Sequence, residues 1–148
     1  MKINPGLLKF LFVFFQFGGM AYLLLSGPIF ANSISLIITE LAGIFIGLWA
    51  IYSMRIDNLR ILPDLKKDAI FVHAGPYGII RHPMYLAIIV TFLPLIISQL
   101  SIDRLLVFII IIVDLVFKLN FEERLLAKAF SDYETYKKTT FRLIPYIY

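Results

Sequence analysis

Four stretches of apolar residues separated by short polar segments dominate the pattern of the chain. They cover about residues 7–25, 33–52, 84–98 and 102–119. A helix rises about 1.5 Å per residue, so roughly 20 apolar residues cross a hydrocarbon core of about 30 Å. The pattern therefore predicts an all-α integral membrane bundle of about four transmembrane helices.

The connections between these stretches predict how the helices follow one another. The first stretch ends in a turn at residues 26–28 and leads into another apolar stretch, which favours a retained helix over a cleaved signal peptide. Pro83 suits the first turn of the third helix. Residues 99–103 are the whole polar connection to the fourth helix, so we expect an antiparallel hairpin.

The fourth helix is expected to continue beyond the membrane as a helical extension. Residues 121–130 contain strong helix formers and no breaker. Ser131 and Glu134 then have the spacing of a capping box, which predicts a break near Ser131 and a short helix through about Lys138.

The composition excludes several classes of protein. Hydrophobic residues make up 60% of the 148 residues and charged residues 16%, against about 45–50% and about 25% in soluble domains. These values exclude an ordinary soluble domain and a disordered chain. The chain has no cysteine, so disulfides, thiolate metal sites and a cysteine nucleophile are excluded. We expect one domain over residues 1–148 and no metal site.

The placement of the basic residues predicts the orientation in the membrane. With four spans, the N-terminus, the middle loop and the C-terminal segment share one side and hold every Lys and Arg except Arg104. By the positive-inside rule both termini are cytoplasmic, and residues 53–83 and 120–148 form the cytosolic part. In a prokaryote this membrane is the plasma membrane. Acidic residues interrupt the basic ones, so membrane lipids are expected partners and nucleic acid is not.

Ionisable residues inside the apolar stretches need an explanation, because each costs about 2.5–3.5 kcal/mol to insert. Glu40 is either a proton or cation site of a small four-helix transporter or a carboxyl hydrogen-bonded within the bundle. Asp114 is one turn before Lys118, and the spacing predicts an ion pair. Gly43 and Gly47 have the spacing that lets helices approach closely, within one chain or between chains, so the oligomeric state stays open.

The segment of residues 73–85 concentrates reactive side chains before the third stretch. It contains both histidines, Arg81, two tyrosines, two glycines and two prolines. Arg81 and His82 lie where the N-terminus of a helix favours an anion such as a carboxylate. A membrane-surface turn that meets lipid phosphates is the alternative, but it explains this concentration poorly.

A second cluster, the adjacent Glu122 and Glu123, is expected at the same depth. Neighbouring helical residues point about 100° apart, so one carboxylate can face the bundle and the other water. Glu122 is also four residues after Lys118, and the alternative is that the pair only solvates the end of the helix. Together, a cationic and an anionic cluster suit a zwitterionic ligand.

At these residues the sequence resembles the isoprenylcysteine carboxyl methyltransferase family and related integral-membrane methyltransferases. The matching positions are His73, Gly75, Pro76, Tyr77, Arg81, His82, Pro83, Tyr85, Glu122, Glu123, Leu126, Tyr133, Tyr136, Arg142 and Pro145. The resemblance implies a helical bundle that binds S-adenosylmethionine at its cytosolic end and methylates a lipophilic substrate entering from the bilayer. Ser131 departs from the glycine often found there.

The resemblance implies that the matching positions named above, from His73 through Tyr136, form the cofactor-binding site. It also implies that Glu122, Glu123 and Arg142 are the catalytic candidates. Methyl transfer to a carboxylate needs no general base, whereas an amine or a thiol must lose a proton, which His73, His82 or a glutamate can accept. The acceptor class stays open among these three. The alternatives are a membrane reductase of the sterol-reductase type that uses NADPH and the transporter that depends on Glu40.

Overall fold

The computed structural model describes residues 5–54 and 71–147, and these form a helical bundle. The helices of these ranges are α1 (Pro5–Leu25), α2 (Ile34–Met54), α3 (Pro83–Ser98), α4 (Ile102–Ala129) and α5 (Tyr133–Thr139), with one 3-10 turn at Gly75–Gly78. The described ranges contain no strand, only an isolated parallel bridge between Ile80 and Phe141. The all-α prediction is confirmed. The basic residues Lys2, Arg55, Arg60, Lys66 and Lys67 lie outside the described residues.

Two of the described helices, α1 and α2, are long and apolar enough to cross a membrane. Helix α3 has 16 residues, and α4 carries charged residues within its apolar part. Large apolar side chains such as Phe10, Phe14 and Phe45 are exposed on α1 and α2. An apolar surface of this extent is typical of contact with lipid. The arrangement of four spans remains a prediction.

The bundle consists of two helix pairs, because α2 packs along α3 and α1 along α4. Gly43 allows the closest approach: a Cβ atom there would lie 2.5 Å from Thr91 Oγ1 and 2.6 Å from the Thr91 backbone nitrogen. A Cβ at Gly47 would lie 3.3 Å from Ala87 Cβ. The two glycines therefore pack α2 against α3 within one chain. Leu23, Leu95, Ile111, Leu115 and Leu119 form the centre of the core.

Arg104 joins the helices at the end of the bundle opposite Arg81. Its guanidinium donates to the Leu23 carbonyl at 2.9 Å, to Ser26 Oγ at 2.9 Å and to the Leu95 carbonyl at 3.2 Å, and the residue is 1% exposed. These bonds satisfy carbonyls near the C-terminal ends of α1 and α3. Among the described residues, Arg104 thus lies at the opposite end of the bundle from Arg81 and Arg142, and the side of the membrane on which it lies remains a prediction.

The predicted ion pair between Asp114 and Lys118 is wrong. Lys118 Nζ instead donates to Gln16 Oε1 on α1 at 2.8 Å, and Asp114 Oδ2 has no hydrogen-bond partner among the described residues. Lys118 reaches across the bundle because an amide oxygen of the neighbouring helix is available to it. Glu40 accepts a hydrogen bond from the Ala31 backbone N–H at 3.0 Å, as the alternative of a hydrogen-bonded carboxyl expects.

The break after α4 is confirmed, but the predicted capping box is wrong. Asp132 is the N-cap of α5 and makes no side-chain capping bond. Ser131 Oγ contacts Asp132 Oδ1 at 3.2 Å, and Glu134 pairs with Lys137 at 3.1 Å. The helix begins one residue later than the capping box requires, so Ser131 lies outside its reach.

We expect Gly43→Ala to destabilise the protein, because the added methyl group would meet the backbone of α3. Overpacking of this kind costs about 1–3 kcal/mol. Gly18→Ala is the matched control, because a Cβ at Gly18 meets nothing within 4 Å and alanine favours a helix by up to about 1 kcal/mol. Thermal unfolding in detergent measures both variants. Equal melting temperatures would contradict the close packing of α2 on α3.

Candidate functional site

The Glu123 carboxylate is the centre of the charged cluster at the other end of the bundle. Arg81 Nε donates to Glu123 Oε1 at 2.8 Å, and Arg142 Nη2 lies 3.0 Å from Oε2. His82 Nε2 lies 3.4 Å from Oε1. Glu123 is 9% exposed. One buried carboxylate thus connects the start of α3, the extension of α4 and the C-terminal segment of residues 140–147.

The surroundings of Glu123 keep it ionised. Burial alone would raise its pKa, but hydrogen bonds from His82 and Arg81 and the charges of these residues lower the pKa to about 2. A carboxylate with this pKa is a poor proton acceptor near neutral pH. Glu123 therefore serves as an anchor for cations.

Backbone hydrogen bonds join the C-terminal segment to the start of α3. The Arg81 N–H donates to the Phe141 carbonyl at 2.8 Å, and the Phe141 N–H donates to the Ile79 carbonyl at 2.9 Å. Arg81 Nη1 also donates to the carbonyls of Thr140 at 2.5 Å and Lys137 at 3.2 Å. Arg81 thus binds both Glu123 and the end of α5, where free carbonyls attract a cation.

Glu122 is the more accessible of the two carboxylates, because its side chain is 25% exposed. Tyr85 Oη donates to Glu122 Oε1 at 2.6 Å, and His82 Nδ1 lies 3.8 Å from Oε2. The His82 and Tyr85 rings are stacked, with centroids 5.3 Å apart and planes at 5°. As predicted, one carboxylate faces the bundle, and the other is partly exposed to water.

An aromatic cleft of about 480 Å³ lies beside the charged cluster. Its lining residues are Phe71, His73, Gly78, Asp132, Thr135, Tyr136, Thr139 and Thr140. The Phe71 ring contacts the rings of Tyr136, with centroids 4.9 Å apart, and Phe130, with centroids 5.2 Å apart. This volume lies in the range of about 300–1,000 Å³ that is typical of small-molecule sites, and the cleft is open to solvent.

Three tyrosines beside the cleft remain neutral. Tyr136 Oη donates to the Tyr77 carbonyl at 2.6 Å, which holds α5 against the 3-10 turn. Burial raises the pKa of Tyr136 to about 12 and raises the pKa values of Tyr77 and Tyr133 as well. Tyr133 is completely buried, and its hydroxyl has no hydrogen-bond partner among the described residues. These phenols are hydrogen-bond donors and not bases.

The glycine and prolines of the predicted site shape its backbone. Gly75 has φ of +61°, and a Cβ atom there would lie 2.3 Å from Ser53 Oγ. A side chain would therefore be strained and would push the turn away from α2. Pro76 is buried in the turn, and Pro83 occupies the first turn of α3. Leu126 lies one turn beyond Glu122 and lines neither the charged cluster nor the cleft.

The structure brings the predicted residues into two adjoining groups. Arg81, His82, Tyr85, Glu122, Glu123 and Arg142 form the charged cluster, while His73 and Tyr136 line the aromatic cleft. The cationic and anionic clusters of the sequence thus contact each other directly. Sequence reasoning missed Asn120, which accepts a short hydrogen bond from Arg142.

Most lining residues of the cleft were also missed. Positions 132, 135, 136, 139 and 140 have the i, i+3, i+4, i+7, i+8 spacing of one helical face. This spacing was the signal available in the sequence. The residues at these positions are polar apart from Tyr136, so the spacing did not resemble the pattern of a helix that faces the core.

We expect Glu123→Gln to reduce the pH dependence of stability in acid. The pKa of Glu123 is lower in the folded protein, at about 2, than its ordinary value of 4.5. The ionised group therefore stabilises the fold fully above about pH 4.5, by about 3 kcal/mol, and this is lost as the pH falls towards 2.

Melting temperatures in detergent between pH 7 and pH 2 measure this effect. The wild type should lose stability more steeply below pH 4.5 than Glu123→Gln, which should already be less stable at pH 7. Glu134→Gln, at a side chain that is 65% exposed, is the matched control and should follow the wild type. Parallel curves for all three proteins would contradict the anchoring role of Glu123.

Comparison with known proteins gives one match. The model of the phospholipid methyltransferase family matches residues 28–133, whereas curated proteins and solved structures give no match. The match agrees with the resemblance to membrane methyltransferases, and it includes both Glu122 and Glu123, while Tyr136 and Arg142 lie beyond it. Because the match covers more than half of the chain, the protein belongs to the phospholipid methyltransferase family.

Proposed function

We propose that the protein transfers a methyl group from S-adenosylmethionine to a lipid acceptor at the membrane surface. The observation that carries this proposal is that the charged cluster adjoins the aromatic cleft at one end of an apolar bundle, where Arg81 of the cluster donates to the carbonyl of Thr140, which lines the cleft. Membership of the phospholipid methyltransferase family supports the same reaction class. The charged cluster is suited to the polar end of a lipid, and the exposed apolar helices to its chains.

The described residues fit S-adenosylmethionine chemically. The faces of Phe71 and Tyr136 suit a flat adenine ring or a sulfonium cation. Asp132 and the threonines of α5 offer partners for ribose hydroxyls. The Tyr133 hydroxyl is a buried donor that still lacks an acceptor. We therefore propose His73, Tyr77, Tyr133 and Tyr136 as cofactor-binding residues together with these.

The charged cluster is proposed to handle the acceptor. S-adenosylmethionine supplies a methyl group bonded to a positively charged sulfur, and the protein must align the acceptor with it and exclude water. A carboxylate acceptor needs no base, but an amine or a thiol loses a proton to become nucleophilic. Glu122 is the group proposed to accept that proton, because it is partly exposed and held by Tyr85.

Glu123 and Arg142 are proposed to position Glu122 rather than to react. Both oxygens of Glu123 already have cationic partners, and its low pKa opposes protonation. This assignment divides the three catalytic candidates of the sequence between one reacting carboxylate and the ion pair that supports it.

The charged cluster is proposed to lie on the cytosolic side, with four spans and both termini in the cytoplasm. Arg81, Lys137 and Arg142 lie at this end of the bundle, and Arg104 is buried at the opposite end. This distribution is the one that the positive-inside rule favours.

Binding and transfer of a labelled methyl group test the proposal. We expect saturable calorimetric binding of S-adenosylmethionine by the detergent-purified protein, with NADPH as the negative control. Labelled transfer is then measured with phosphatidylethanolamine, a fatty carboxylate and a lipophilic thiol in nanodiscs. Binding of NADPH alone would indicate a reductase, and binding of neither ligand would favour transport through Glu40.

We expect Glu122→Gln to lower kcat by about 10²–10⁴-fold for an amine or thiol acceptor, the usual contribution of a general base. Cofactor affinity should change little, because the aromatic cleft is intact. Glu134→Gln removes an exposed carboxylate of α5 and should keep the wild-type kcat. An amine acceptor methylated equally fast by the Glu122→Gln variant would contradict the assigned role.

A further inference from the structure

Lys118 is a buried cation to which the proposed function assigns no role. It lies on α4, one turn before Glu122, and is 4% exposed. Its Nζ atom donates to Gln16 Oε1 on α1 at 2.8 Å. The same atom lies 5.3 Å from the centroid of the Tyr85 ring on α3. One ammonium group therefore contacts side chains from two other helices.

The contact between Lys118 and Glu122 is indirect. The two residues are four apart on one helix, which is the spacing of a direct ion pair. No ion pair within 4 Å joins these two described side chains; Lys118 lies over the Tyr85 ring, and Tyr85 Oη donates to Glu122 Oε1 at 2.6 Å. A chain of contacts thus runs from Gln16 through Lys118 and Tyr85 to Glu122.

This chain has two physical consequences for Glu122. A cation over the face of the phenol ring restrains the ring, so the Tyr85 hydroxyl stays directed at the carboxylate. The Gln16 amide oxygen also holds the ammonium away from Glu122. A direct ion pair would instead give Glu122 a fixed cationic partner and orient its carboxylate towards Lys118.

We propose that Lys118 is a positioning residue for the reaction: held by Gln16, it fixes Tyr85 against Glu122 without pairing with Glu122 itself. This inference rests on the proposed function, because it concerns the orientation of the carboxylate that accepts the proton. Lys118 itself does not touch the substrate.

Lys118→Met tests the proposal, because methionine keeps an unbranched apolar side chain and removes the charge. We expect kcat for an amine acceptor to fall by up to about 100-fold, as for a displaced reacting group, while the dissociation constant of S-adenosylmethionine stays within about twofold because the aromatic cleft is untouched. Lys118→Arg keeps a cation over the ring and should restore part of kcat. Lys128→Met, at an exposed position of the same helix, is the control and should keep the wild-type kcat.

Gln16→Leu is a second variant that leaves Lys118 in place. Without the amide oxygen the ammonium should turn to Glu122 and pair with it, so kcat should fall although every charge of the site is retained. A melting temperature for each variant shows that it is folded. A folded Lys118→Met or Gln16→Leu variant with the wild-type kcat would overturn the proposal.

A spectroscopic measurement separates this inference from the proposed function. In protein labelled with ¹³C-tyrosine, the Tyr85 resonance is identified by its loss in Tyr85→Phe. It should shift in Lys118→Met and stay in place in Lys128→Met; an unshifted resonance would overturn the contact chain. If the wild type transfers no methyl group but the Tyr85 resonance does shift in Lys118→Met, the methyltransferase function is overturned while the chain of contacts stands.

Discussion

The charged end of the protein depends on one buried carboxylate, that of Glu123. Arg81, Arg142 and His82 converge from two segments of the chain that are far apart in sequence. Without an anion between them, the two guanidinium groups would repel each other in a poorly solvated environment. With it, each cation has a partner, and the backbone hydrogen bonds between residues 79–82 and 141–142 become possible. The cluster is favourable only because the partners are complete.

The packing of the bundle fixes the helices that carry the charged cluster. Gly43 lets α2 lie against α3, and Gly75 lets the following turn return to α2 beside Ser53. Helix α3 and the turn that precedes Arg81 and His82 are therefore both packed against α2. Side chains on helices fixed in this way have few alternative positions, which is what alignment of two reactants requires. Tyr136 joins the cleft to the 3-10 turn, because its ring lines the cleft and its hydroxyl donates to the Tyr77 carbonyl.

The positions of the helices were predictable because the length of each apolar stretch can be read directly from the sequence. Helices α1 to α3 begin and end close to the predicted stretches, and α4 continues through the predicted extension to Ala129. The motif from Arg81 to Tyr85 does meet the glutamates of α4. The partners of Lys118 and Asp114 were not predictable, because local spacing favours an i, i+4 pair and takes no account of an amide on another helix. The lining of the cleft was not predictable for a similar reason. It combines a face of α5 with Phe71, and only the tertiary structure brings these residues together.

The parallel bridge between Ile80 and Phe141 also has a consequence for synthesis of the chain. Ribosomes produce about 5–20 residues per second, and roughly 60 residues separate the two residues of the bridge. The last of the four long helices ends at Ala129, so all four are synthesised about 1–3 seconds before Arg142 is added. During this interval the nascent chain has its apolar bundle but an open polar end. Residues 141 and 142 therefore complete the charged cluster late in synthesis, and translation interrupted before them yields an apolar helical bundle without the complete cluster.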